Sequence, residues 1–452
     1  AHLVQTGLMA AGLDLHDVRR REDVLDRLAA YVRTHPGAGP VIGQGWDERD
    51  WPDPRPPTRA ELDRAGRDRP VYLARVDVHS AVASSALLAA VPGVETLAGS
   101  GSGDLLSRDA HHAVRTAVGA LTTDEQRRTA ASTALMQAAE QGLGTVHELG
   151  GPHLGPIEDL LRVRQEAERL GVRTVSYWGE LASAEAFDRA AAVGALGLAG
   201  DLCIDGAIGS RTAALREPYR DDPGLGARYL DDEEIAGHLI ACTRAGLQAG
   251  FHCIGDDAVA AAVDGLRRAA EVLGRDAMIA ARHRLEHVEM LAHGDAATLA
   301  TYGVVASMQP AFDAIWGGPG ELYEQRLGVE RADSMNPLGT LAAARVVLAF
   351  GSDAPVTPLA GWETVRAAVT HHRPDQRLSV GDAFAAATRG GHTAARSSAG
   401  RLAAGEPADL AIWDRVPESS GPDGLPRLSD NAPLPAWRAT MVDGRLVAGR
   451  WG

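Results

Sequence analysis

His252, His287 and Asp353 are the residues whose types and placement most readily do chemistry. Each closes a short apolar run of strand character, at 247–251, 283–286 and 346–350 respectively. Two imidazoles and a carboxylate, separated by helix-length segments, are ligand types for a Zn2+-like ion at the mouth of a βα barrel. Such an ion, with one coordination position open, lowers the pKa of bound water to about 7. A carboxylate beside that water can take its proton and later return it to a departing amine. This reading gives metal binding to His252, His287 and Asp353, and catalysis to Asp353 and His287.

Bringing these residues to one mouth requires alternating strands and helices. From about residue 125 the pattern alternates: helical periodicity over 125–141, 156–170, 183–193, 232–246, 257–273, 293–301 and 336–344, each stretch leading into a strand-like run. The runs at 144–148, 172–177, 202–205 and 304–308 join those ending at His252, His287 and Asp353. These seven, with one ending at His2, make the eight of a (β/α)8 TIM-like barrel, an α/β fold. Residues 1–8 are then the end of the first barrel strand, 9–130 an insertion after it, and 131–400 the barrel. Within the insertion, 21–34 reads as an amphipathic helix, 43–59 as loop, 71–76 as a strand leading to Asp77 and His79, and 98–107 as a mobile Gly/Ser-rich loop. The tail, 401–452, reads as the C-terminal part of a small, incomplete β-sandwich domain, with strands at 407–413 and 439–447 around a Pro/Gly/Ser-rich stretch at 417–437.

Composition narrows the function classes. With 452 residues, 45% of them hydrophobic, the chain can bury more than one core. A net charge of −15 argues against nucleic acid and anionic membrane surfaces as partners. No run is long and uncharged enough to span a bilayer, and no signal-peptide pattern opens the chain. Cys203, Cys242 and Cys253 show no CxxC spacing, which fits a cytoplasmic setting. All 45 basic residues are arginine, as a GC-rich coding bias would give. Without lysine there is no Schiff base, no P-loop lysine and no carbamylated lysine bridging two metals.

Ten phrases, in order along nearly the whole chain, carry a resemblance. They are Gly45-Trp46-Asp47, Val76-Asp77-Val78-His79, Val146-His147-Glu148, Asp205-Gly206-Ala207-Ile208-Gly209-Ser210-Arg211-Thr212, Glu217-Pro218-Tyr219, His252-Cys253-Ile254-Gly255-Asp256, Arg282-His283-Arg284-Leu285-Glu286-His287, Ser307-Met308-Gln309-Pro310, Gly351-Ser352-Asp353-Ala354-Pro355 and Ala408-Asp409-Leu410. Together they resemble the amidohydrolase superfamily, in particular the metal-dependent branch that includes the N-substituted formamide deformylases. That family opens its barrel with a His-x-His motif. His2 matches the second histidine, which implies a metal ligand at His2 and places the first histidine, with further small-domain strands, before Ala1. The family often carries a lysine four residues before the aspartate of the Asp-Gly-Ala-Ile-Gly-Ser phrase. Here that position is Asp201, which favours one ion over two, with Glu148 as an alternative bridging ligand.

His79, Asp205, Arg211, Gln309 and Trp46 are candidates for substrate contacts. Arg211 has the alternative of pairing with Glu217 or a nearby aspartate, and Trp46 that of core packing. His111, His112, His371 and His372 read as surface pairs. The resemblance implies a hydrolase that cleaves a non-peptide carbon–nitrogen bond, an amide or N-substituted formamide, in a small molecule. Its divalent metal would be zinc, and the chain could form a homodimer. A deaminase of the same superfamily and a catalytically inactive binding homologue are the alternatives.

Overall fold

The structure, a computed structural model, describes residues 1–36, 39–100, 104–414, 424–429 and 431–451. The chain forms two compact units: His2–Ala134 with Pro152–Val163, and Ala1 with Leu135–Gly151 and Arg164–Gly452.

In the first unit, strands β1 (Leu13–Asp14), β2 (Val41–Trp46), β3 (Val71–Arg75), β4 (Ser80–Ala83) and β5 (Leu105–Ser107) form one sheet in chain order. The ladder is parallel from β1 to β3 and antiparallel from β3 to β5. The helix Arg21–Thr34 buries Val24, Leu28 and Val32, spaced by four, in the same core as Trp46 and Leu73. The stretch 43–59, expected as loop, begins inside β2. Gly43 and Gly45 interrupt its apolar pattern, and a Cβ at either would meet Leu73 or His16 at under 3 Å. Residues 3–8, expected as strand, are helical: the helix runs Leu3–Ala10, and the His2 carbonyl accepts from Thr6 N–H at 2.8 Å. Residues 101–103 of the expected mobile loop lie outside the described residues.

The second unit is built on a curled parallel sheet consistent with a TIM-like barrel. Its strands β6 (Thr145–Gly150), β7 (Arg173–Trp178), β8 (Gly197–Leu198), β9 (Gln248–Cys253), β10 (Arg284–His287), β11 (Val305–Met308) and β12 (Val347–Phe350) pair in strict sequence order. Ala1 continues the pattern at one edge: its amino group donates to the His147 carbonyl at 3.3 Å, and its carbonyl accepts from Leu149 N–H at 3.0 Å. The run 202–205, expected as a strand, contributes a single bridge, Cys203 to His252. The tail is a three-stranded antiparallel sheet of β13 (Leu410–Trp413), β14 (Trp437–Val442) and β15 (Arg445–Gly449). The expected single strand at 439–447 is a hairpin, broken by Asp443 and Gly444 at positive φ. This sheet belongs to the same compact unit as the barrel strands rather than to a domain of its own. Of the stretch 417–437, residues 417–423 and 430 lie outside the described residues. Among the described residues no helix is long and apolar enough to cross a membrane.

The curl has a polar cause. Strands four places apart in a flat sheet are separated by about 19 Å. Yet Arg284 on β10 lies 3.1 Å from His147 Nδ1 on β6, and its guanidinium stands 4.5 Å from the Tyr177 ring centre on β7. It also grips Glu286, with Nη2 to Oε2 at 3.0 Å, and donates to Ser307 Oγ on β11 at 3.0 Å. One buried guanidinium therefore ties four strands across the inside of the curl. Gly250 on β9 leaves the room, since a Cβ there would lie 2.7 Å from Arg284 Cγ.

Two histidines wedge helices against the outside. His238 accepts from Ala182 N–H at 3.0 Å, with Nε2 3.0 Å from the Leu198 carbonyl. His283 accepts from Ala249 N–H at 3.0 Å, with Nε2 2.8 Å from Thr243 Oγ1. Burial lowers their pKa values to about 4 and about 3.

Replacing Arg284 by methionine leaves Glu286 buried and unpaired, so urea unfolding should show a loss of about 3–5 kcal/mol. A loss under ~1 kcal/mol would contradict the tie. His238 and His283 have folded pKa values below the unfolded one, so their contribution is complete above about pH 6.5. It is lost as pH falls toward 4 and 3, at about 1.4 kcal/mol per pH unit for each. His283→Gln should flatten the stability curve between pH 6.5 and 5 relative to the wild type; parallel curves would refute this.

Candidate functional site

The site is built at the ends of β9 and β10. All six residues of β9 are buried, and the strand delivers His252 beside a tight loop. That loop is held by Asp205, which is fully buried. Its carboxylate accepts from the backbone N–H groups of Ala214 at 2.9 Å, Ile254 at 3.0 Å and Gly255 at 2.8 Å. Gly255 is required here because a Cβ would lie 2.0 Å from the Ala214 carbonyl oxygen. Burial lifts the Asp205 pKa to about 6, against the pull of His252 and these amides. His252 Nε2 lies 3.1 Å from the Gly206 carbonyl and 3.8 Å from Asp205 Oδ1. A proton on Nε2 serves that carbonyl and places the ring lone pair on Nδ1.

His287 ends β10 with φ at 72°, and Val288 follows at 51°. A β-branched residue in the left-handed region is strained. The His287 ring meets His252 edge-on at 4.5 Å and stacks on Phe312 at 5.8 Å. Burial, then His252, brings the His287 pKa down to about 4, while Asp353 opposes the shift. The imidazole is thus neutral at pH 7, and its buried Nδ1 has no hydrogen-bond partner. Asp353 lies three residues past β12, also left-handed at φ 53°.

Of the remaining expected residues, Gln309 joins this group. It is buried, its Oε1 meets no hydrogen-bond partner, and its side chain lies close enough to His287 to favour the protonated ring. Glu148 is buried on β6, but neighbouring strand residues leave opposite faces. His147 is the one that reaches Arg284 inside the curl, and Glu148 leaves β6 on the face opposite it. Asp205 organises backbone rather than offering a free carboxylate. Arg211 is forked onto Asp221 at 3.1 and 2.7 Å, the nearby-aspartate alternative. Trp46 is a core residue of the other unit, its Nε1 donating to the Leu73 carbonyl at 3.1 Å. His79 and His2 also belong to that unit; His79 N–H donates to Asp77 at 3.1 Å, and His2 precedes the helix Leu3–Ala10.

The expected surface histidines are corrected. His111 is 1% exposed, its Nε2 lying 2.8 Å from the Tyr72 hydroxyl. His112 is half-buried and stacks on His153 at 4.4 Å. His371 is buried and His372 half-buried, both against Asp313.

Glu289 is the residue that sequence reasoning missed. It is buried, takes the Tyr323 hydroxyl at 2.7 Å, and has its pKa pushed up to about 8. Burial is the main cause; Tyr323 opposes it, and Asp205, Asp353 and Asp313 add to it. The available signal was a lone acidic residue inside the apolar context Val288–Met290. Glu289, raised by three other carboxylates, and the neutral His287 imidazole suit a divalent cation nearby. His287 Nδ1, buried and unpartnered, is the donor such an ion would satisfy.

The pattern of the Amidohydrolase family matches residues 1–448. The putative amidohydrolase YtcJ of Bacillus subtilis (strain 168) is 26% identical, over 99% of this chain and 87% of its own length. The protein LONG AFTER FAR-RED 3 of Arabidopsis thaliana is 28% identical, over 91% of this chain and 77% of its own. Among solved structures, an uncharacterized metal-dependent hydrolase from Pyrococcus furiosus superposes with a TM-score of 0.66 at 26% identity, over 90% of this chain and 83% of that one.

Replacing Tyr323 by phenylalanine removes its hydrogen bond to the buried Glu289 carboxylate. Thermal unfolding should show a loss of about 1–3 kcal/mol. No change in melting temperature would contradict that role.

Proposed function

The chain belongs to the amidohydrolase family, and from that premise we propose a metal-dependent hydrolase of a non-peptide carbon–nitrogen bond, in a small amide or N-substituted formamide. The observation that carries the reading is His287: neutral, buried, edge-on to His252, in the field of Asp353, with Nδ1 unpartnered. His252, His287 and Asp353 would hold one divalent ion, zinc in this proposal, which supplies an activated water and polarises the carbonyl. Asp353 takes the proton of the attacking water and returns it to the departing nitrogen. Asp205, through the Ile254 and Gly255 amides, holds the end of β9 and so the His252 ring. Gln309, with its free Oε1 beside His287, accepts from a substrate N–H. Phe312 covers the His287 ring and excludes water from that side.

Asp353→Asn should keep the wild-type circular dichroism spectrum and lower turnover at least ~100-fold on a panel of amides and formamides. A fully active variant would remove Asp353 from the mechanism. Ammonia release from heterocycles, with none of the amides cleaved, would replace the amide reading by the deaminase one.

A further inference from the structure

Asp313, on the helix Pro310–Trp316, meets two adjacent histidines from the loop after the helix Gly361–Val369. Its Oδ1 lies 2.6 Å from His372 Nδ1 and 3.3 Å from His371 Nε2, and its Oδ2 accepts from His372 N–H at 3.0 Å. These three side chains offer ligand atoms all within 4.8 Å of one another. Asp313 is 2% and His371 1% exposed. Two further observations concern the surroundings of the cluster. His372 Nε2 is buried with no hydrogen-bond partner, 3.7 Å from Asp333 Oδ1. Gly317 keeps the space beside the cluster open, since a Cβ there would lie 2.4 Å from Asp313 Oδ1 and 2.9 Å from His372 Nδ1.

We propose that Asp313, His371 and His372 form a second divalent-metal site, sharing no residue with His252, His287 and Asp353. Two imidazoles and a carboxylate are a donor set for zinc, cobalt or nickel. His372 ligates through Nδ1, and the proton it shares there with Asp313 moves to Nε2. Its Nε2–H then faces Asp333, the carboxylate–histidine–metal arrangement that orients a ligating ring. His371 ligates through Nε2. That nitrogen now lies 3.1 Å from the Asn336 carbonyl, while Nδ1 accepts from Arg373 N–H at 3.0 Å. Loading moves the His371 proton to Nδ1 and gives up both the Asn336 and the Arg373 bonds, a loss that metal–ligand bonding offsets. The site would clamp the helix that carries Phe312, the residue stacked on His287.

The test is titration of metal-free protein with Co2+, read by visible d–d absorption and by calorimetric stoichiometry. His371→Ala/His372→Ala, and the milder Asp313→Asn, should each bind one equivalent fewer than the wild type. His252→Ala/His287→Ala should keep that equivalent. Equal stoichiometry in the wild type and Asp313→Asn overturns the proposal, as does a His252→Ala/His287→Ala protein that binds none. If the double alanine variant does not fold, Asp313→Asn decides alone. The barrel-mouth site fails separately, if His252→Ala/His287→Ala binds as much as the wild type.

Discussion

The Arg284 guanidinium inside the barrel sheet is the contact on which its unit depends. It sits three residues before His287 on the same strand, so the contact that curls the sheet also fixes where that histidine emerges. Apolar side chains of similar volume would fill the same space without selecting a register. The guanidinium selects one, because its donors must meet Glu286, Ser307 and His147, and its face must meet Tyr177. Glu286 lies in register with His252, so the same ion pair abuts the second imidazole. Energetically such a pair is no better than an apolar filling; what it contributes is a single geometry.

Above that ion pair the chain is held in unfavourable states. His287, Val288 and Asp353 all lie at positive φ, and the buried Glu289 stands in the field of Asp205, Asp353 and Asp313. Strain of about 1–3 kcal/mol per residue persists only where the surroundings over-determine it. Here the determinants are visible: Asp205 and its three amides, the Phe312 stack and the Tyr323 hydroxyl. A cation among these carboxylates would lower the electrostatic cost, and this links the strained strand ends to the hydrolase proposal.

The alternating elements were legible in the sequence because their burial follows the backbone period. The helix expected at 257–273 is Asp256–Leu273, and the strand expected at 172–177 is Arg173–Trp178. The misses have physical reasons. The glycines of β2 remove the apolar side chains that mark a strand, although its backbone is buried. The run at 202–205 looks like a strand because it is apolar, but its aspartate spends its hydrogen bonds on a loop instead of a ladder. His371 and His372 read as surface because nothing near them in sequence reveals Asp313, 58 and 59 residues away. Of the site, the residue types and strand-end positions of His252, His287 and Asp353 were legible. Glu289 was not, since its role comes from Tyr323 and from three distant carboxylates.

The central claim is that the ends of β9, β10 and β12 carry a metal-dependent hydrolase site. An anomalous difference map at the zinc edge, from crystals of the zinc-loaded protein, addresses it most directly. The account predicts a peak at about 2.0–2.2 Å from nitrogens of His252 and His287 and from an Asp353 oxygen. A zinc-saturated crystal with no peak between those three side chains would contradict it.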